Sequence, residues 1–88
     1  MVERRCVLEL KDAGYIAIRT AGSHSPWDVI AVRGDGIKLI QTKRSKVSGQ
    51  SYSRIYKQLN SIAVPQCVSK ELWVWEDRRG WRKYEIRR

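Results

Sequence analysis

Near the start of the chain, apolar residues recur at helical spacing. Val2, Cys6, Leu10 and Ala13 form one stripe, Val7 and Leu8 flank it, and charged side chains take most remaining positions. This predicts a helix over residues 3–14, stopped by Gly14. The β-favouring stretch 15–19 predicts a short strand, and the Gly, Ser and Pro residues between Ala21 and Pro26 predict a loop. Val29, Ile30, Ala31 and Val32 form an unbroken apolar run, the pattern of a central strand covered on both faces. Gly34-Asp35-Gly36 predicts a tight hairpin, with residues 37–43 as the return strand and a polar, basic loop over 44–49. Ile55, Leu59 and Ile62 share one face of a second predicted helix, residues 51–63, which Pro65 ends. Residues 71–76 and 81–86 predict a last hairpin turning at 77–80. The order is α-β-β-β-α-β-β, an α/β fold with a mixed sheet flanked by helices, in one minimal domain spanning residues 1–88.

Charge adds a function class to this outline. Eighteen Lys and Arg against nine Asp and Glu give a formal net charge of +9, spread along the whole chain. A small folded domain with that field attracts polyanions, nucleic acid first; the competing reading is a solvated basic surface. No amphipathic stretch joins a broad apolar face to a basic rim, and no apolar run approaches the roughly 18 residues of a membrane span. With no signal peptide in view, these patterns predict a cytoplasmic protein of a cellular or viral system. Cys6 and Cys67 lack metal-ligand spacing and read as small core residues. Trp73 and Trp75 alternate with Leu72 and Val74, which suits core packing or a subunit interface better than base stacking.

The first hairpin sets up the candidate chemistry. A turn at Gly34-Asp35 places Asp28 across from Gln41, and a turn at Asp35-Gly36 places it across from Lys43. Because strand residues two apart share a face, both registers predict Asp28, Gln41 and Lys43 on one side of the sheet; a bulged three-residue turn would move this by one position. A carboxylate and an amide oxygen suit Mg²⁺, which prefers oxygen ligands, and a neighbouring lysine offsets charge on a phosphoryl transition state. Alone, this spacing is common among unrelated proteins. The loop before Asp28 adds His24, a candidate general base or phosphate contact, and the hydroxyls of Ser23 and Ser25. Arg44 and Lys46 continue the basic run after Lys43 as candidate nucleic-acid contacts.

Several motifs then occur in a familiar order. Val2-Glu3-Arg4 near a helix start, Gly14-Tyr15, Arg19, Ala21-Gly22-Ser23, Pro26-Trp27-Asp28-Val29-Ile30-Ala31 and Ile40-Gln41-Thr42-Lys43 together resemble the core of archaeal Holliday-junction resolvases. These belong to the PD-(D/E)xK nuclease superfamily, and the resemblance covers residues 2–46. It implies a restriction-endonuclease-like fold and a homodimeric endonuclease, dependent on Mg²⁺ or Mn²⁺, that cuts DNA, branched DNA included. Glu3 matches the helix-borne acid that binds a metal or its water, Asp28 the acid of the PD motif, Lys43 the motif lysine, and Ser23 a loop serine near the site. Gln41 stands where the motif has its second acid and removes one negative charge from the metal site. The alternative is a nucleic-acid-binding module of the same fold with weak or no catalysis. For the dimer, Trp73 and Trp75 are the candidate interface residues.

Overall fold

The computed structural model describes residues 2–20, 25–45 and 51–87. The apolar stripe near the start forms α1 (Val2–Asp12), with Cys6 and Leu10 buried beneath it. Glu3 in its first turn and Lys11 in its last both complement the helix dipole. Gly14 turns the chain out of the helix at φ 92°, a backbone conformation that side-chain-bearing residues rarely adopt.

Five strands follow, with one helix among them: β1 (Ile16–Arg19), β2 (Val29–Arg33), β3 (Gly36–Ser45), α2 (Ser53–Asn60), β4 (Val68–Glu76) and β5 (Gly80–Ile86). They make one sheet in the order β1-β2-β3-β4-β5. All neighbours are antiparallel except β3 and β4, which run parallel because α2 carries the chain back between them. The predicted element order holds throughout. β3 continues to Ser45, so Arg44 belongs to a strand rather than to the predicted basic loop, and α2 is shorter than the predicted 51–63.

The two helices cover different parts of the sheet. α1 packs on one face against Ala17, Val29, Ala31, Ile40 and Trp73. On the other face, α2 lies over β4 and β5, where Leu59 meets Leu72, Val74, Ile86 and Trp27. The run at residues 29–32 is therefore not covered on both faces as its pattern predicts. On the side away from α1, Ile16, Ile18 and Val32 are 74%, 57% and 42% exposed. Trp73 is buried inside the α1 core, as the core-packing reading expects, which corrects its candidacy for a subunit interface. Cys67 is exposed, whereas Cys6 is the core residue that both cysteines are expected to be. Burial, with help from Glu9, Glu71 and Asp28, pushes the Cys6 thiol up to about 12 and keeps it protonated.

Two buried charges are satisfied locally. The Lys70 ammonium donates to the carbonyls of Leu59, Asn60 and Ile62 at 2.8, 3.3 and 2.5 Å, placing a cation at the negative end of α2. Glu71 accepts from Lys38 at 2.6 Å and from the Trp73 indole at 2.7 Å. Each charge thus has the close partners that burial demands.

The β2–β3 turn is tight enough to test. Gly36 has φ 152°, and a Cβ built on it would lie 2.8 Å from the Cys67 carbonyl oxygen, whereas a Cβ on Gly34 meets nothing within 4 Å. Gly36→Ala is expected to lower the unfolding free energy by about 1–3 kcal/mol, and Gly34→Ala to change it by less than about 0.5 kcal/mol. Urea melts of both variants check this; equal costs would contradict the account.

Candidate active site

The site begins with how the end of β2 is fixed. The β2–β3 register pairs Arg33 with Gly36 and Val29 with Ile40, so the turn is Gly34-Asp35. One step before the strand, the Asp28 N–H donates to the Ile40 carbonyl at 2.9 Å, and the Asp28 carbonyl accepts from the Thr20 N–H at 3.0 Å. The Thr20 hydroxyl also donates to the Trp27 carbonyl at 2.7 Å, and the Trp27 N–H donates to the Ser25 Oγ at 3.0 Å. The Trp27 ring is buried in the α2 core. Asp28 is thus held through its backbone by both neighbouring chain segments, and the residue before it anchors the turn.

The carboxylate adds two more bonds. Asp28 Oδ2 accepts from the Thr42 N–H at 2.9 Å and from the Thr42 Oγ1 at 3.2 Å. Among the described residues, Oδ1 has no donor. Thr42 is buried and shares the α1 side of β3 with Ile40. By alternation, Gln41 and Lys43 point to the other side, in register with Leu72 and Val74 of β4. Extended by one residue, the register sets Asp28 opposite Gln41. The expected shared face is therefore reached by Gln41 and Lys43. The Asp28 carboxylate instead lies near the sheet plane, turned toward Thr42. Among the described residues, no hydrogen bond or ion pair joins it to Gln41 or Lys43, and both of these side chains are half-buried without partners.

Glu3 is half-buried in the first turn of α1, one turn ahead of Cys6 on the same helix face. That end of α1 reaches the ends of β3 and β4, because the Arg5 guanidinium lies 4.4 Å from the Trp75 ring centre and Trp75 pairs with Arg44. The start of α1, which carries Glu3, thus lies toward the end of β3, on the face opposite Gln41 and Lys43, and among the described residues no hydrogen bond or ion pair joins Glu3 to them or to Asp28. Among the described residues, no group of three or more His, Cys, Asp or Glu could hold a metal. The available donors are the oxygens of Asp28, Glu3 and Gln41, a set suited to a hard divalent cation and unsuited to zinc. The Asp28 Oδ1, with no donor among the described residues, fits that role.

The expected nucleic-acid contacts divide. Arg44 is exposed and ion-paired with Asp77 at 3.1 Å, which pulls the Asp77 carboxyl below its usual range. Ser25 serves the turn at Trp27. Ser23, His24 and Lys46 lie outside the described residues. Sequence reasoning missed Thr42 and Thr20. A threonine in a strand reads as an ordinary β-former, and the only available signal was Thr42's position inside the Gln41-x-Lys43 motif.

Comparison with solved structures finds a likeness over almost the whole chain. The chain is similar to the 1.6 Å structure of Archaeoglobus fulgidus Hjc, a Holliday junction resolvase from an archaeal hyperthermophile, at 30% identity and a TM-score of 0.72. The alignment covers 97% of this chain and 73% of that one. No protein-family model and no curated protein sequence matches.

Removing the Asp28 side chain leaves the buried Thr42 N–H without its acceptor. Asp28→Ala is therefore expected to cost about 1–3 kcal/mol of stability, and Asp28→Asn, which keeps an oxygen there, clearly less. Thr42→Val, which removes only the hydroxyl bond, should cost about 1 kcal/mol. Denaturant melts order the three variants; an alanine variant as stable as the asparagine one would show that the carboxylate does not anchor β3.

Proposed function

This chain belongs to the Holliday-junction-resolvase family of PD-(D/E)xK-like nucleases, with a glutamine in the motif, and from that we propose a DNA endonuclease that hydrolyses phosphodiester bonds with Mg²⁺ or Mn²⁺, branched DNA included. The observation that carries the reading is the β2–β3 register, which sets Asp28 against Gln41 with Lys43 two residues on. Asp28, Gln41 and Glu3 are the residues that would hold the cation. When bound, it polarises the phosphoryl group and lowers the pKa of a water molecule. Thr42 orients the Asp28 carboxylate. Lys43, with no ion-pair partner among the described residues, would offset the negative charge that grows on the phosphoryl oxygens. The +9 field draws in the DNA backbone without reading its sequence.

One observation favours a second reading. Gln41 is neutral where the family motif has an acid, which weakens cation binding and suits a binding module with weak or no catalysis. Cleavage assays with a metal titration separate the two. Under the endonuclease reading, Asp28→Asn and Lys43→Ala abolish cutting, and Gln41→Glu keeps or raises activity at low metal. Wild-type cutting rates in Asp28→Asn, from a preparation free of contaminating nuclease, would overturn the assignment.

Two cuts on opposed strands call for two sites, and the proposed unit is a homodimer. With Trp73 inside the core, the uncovered aliphatic face at Ile16, Ile18 and Val32 is the proposed contact for a second copy. Ile18→Glu is expected to give a monomer by light scattering that keeps its fold by circular dichroism and melts lower than wild type, independently of concentration. A wild-type chain that stays monomeric at high concentration would contradict the dimer.

A further inference from the structure

The face of the sheet that carries Gln41 continues sideways into a hollow of about 290 Å³. Ser51, Tyr52, Ser53 and Tyr56 form its α2 side, and Leu72 and Tyr84 line it from the sheet. The ladders place Gln41, Leu72 and Tyr84 in one row across β3, β4 and β5. Strands lie about 4.8 Å apart, so Tyr84 stands roughly 10 Å from Gln41, within reach of a nucleotide beside the scissile phosphate. We propose that this tyrosine-walled hollow is a nucleobase subsite, which takes one unstacked base of the bound strand. The proposal rests on the endonuclease reading above and adds to it where the substrate strand runs.

Three observations favour a base over other occupants. The volume lies at the lower limit of the roughly 300–1,000 Å³ typical of small-ligand sites, so it admits one planar group. The walls are aromatic, and every nucleobase has a face that stacks on tyrosine. Tyr56 is fixed in place, its hydroxyl donating to the Arg87 carbonyl at 3.3 Å and accepting from the Arg87 N–H at 3.2 Å.

The rim suits the attached phosphate. α2 begins here, its N-cap residue Tyr52 makes no side-chain capping bond, and its first turn carries no acidic residue. The Ser53 N–H has only a long 3.4 Å contact to the Ser51 Oγ, and Arg54 follows at once. Backbone donors at a helix start, serine hydroxyls and a guanidinium are the groups that hold a phosphate oxygen.

The test compares binding of wild type, Tyr84→Ala, Tyr84→Phe and Tyr52→Phe to fluorescein-labelled branched DNA, read by anisotropy. A second substrate set carries one abasic nucleotide, scanned through the positions flanking the cleaved bond. Tyr84→Ala should bind intact DNA about tenfold more weakly, and Tyr84→Phe should bind as wild type does. One abasic position should weaken wild type by a similar factor and leave Tyr84→Ala unaffected. Tyr52→Phe, which keeps the aromatic wall, should bind as wild type does, and the abasic scan on wild type needs no variant, so a folding defect cannot mimic the result. If wild type cuts DNA but loses no affinity at any abasic position, the subsite is overturned and the endonuclease reading stands. If wild type neither binds nor cuts DNA, both fall together.

Discussion

The N–H of Thr42 donates to the Asp28 carboxylate rather than to a backbone carbonyl, and the geometry of the site follows from that bond. β2 begins only at Val29, so the β3 residues beyond Ile40 have no strand partner on that side. A carboxylate can substitute as acceptor, and it does so with an anionic oxygen, which makes the stronger kind of hydrogen bond. The second oxygen accepts from no donor among the described residues. One residue therefore ends the ladder, aligns the Gln41–Lys43 segment and keeps a second carboxylate oxygen unbonded among the described residues. Trp27, buried in the α2 core, and Thr20, bonded to both Trp27 and Asp28, keep the turn from shifting.

The way the helices cover the sheet distributes the rest of the surface. α2 has eight residues and spans about 12 Å, so it covers β4 and β5 and leaves the same face of β1 and β2 bare. One flank of Gln41 thus meets an aliphatic surface and the other a tyrosine-walled hollow. A net charge of +9 opposes self-association unless the contact is apolar, which is the character of the bare face.

Most of the architecture was legible because periodicity reports element type directly. The element order, the hairpins and the two candidate registers came from alternation and turn residues. The choice between registers depends on a contact distant in sequence: Gly36 starts β3 against the Cys67 carbonyl, and Arg33 clasps Asp35 within the turn at 2.7 and 2.8 Å. Alternation also shows which residues share a face, but not which face a helix will cover. For that reason alternation leaves Trp73 open between core and interface and predicts a doubly covered strand at 29–32. β4 begins earlier than its pattern suggests because polar Ser69, Lys70 and Glu71 belong to it, with Lys70 closing α2 and Glu71 holding Lys38. Family motifs located Asp28, Gln41 and Lys43. They did not reveal Thr42, whose role exists only once β2 stops short of it.

The central claim is that Asp28 and Gln41 form the oxygen site for a divalent cation. Heteronuclear NMR of the wild-type chain during a Mg²⁺ titration tests it without requiring turnover. Saturable shifts are expected at the Asp28 carboxylate, the Gln41 side-chain amide and the Thr42 N–H, and Asp28→Asn should abolish them. Shifts confined to other carboxylates, or unchanged in Asp28→Asn, would contradict it.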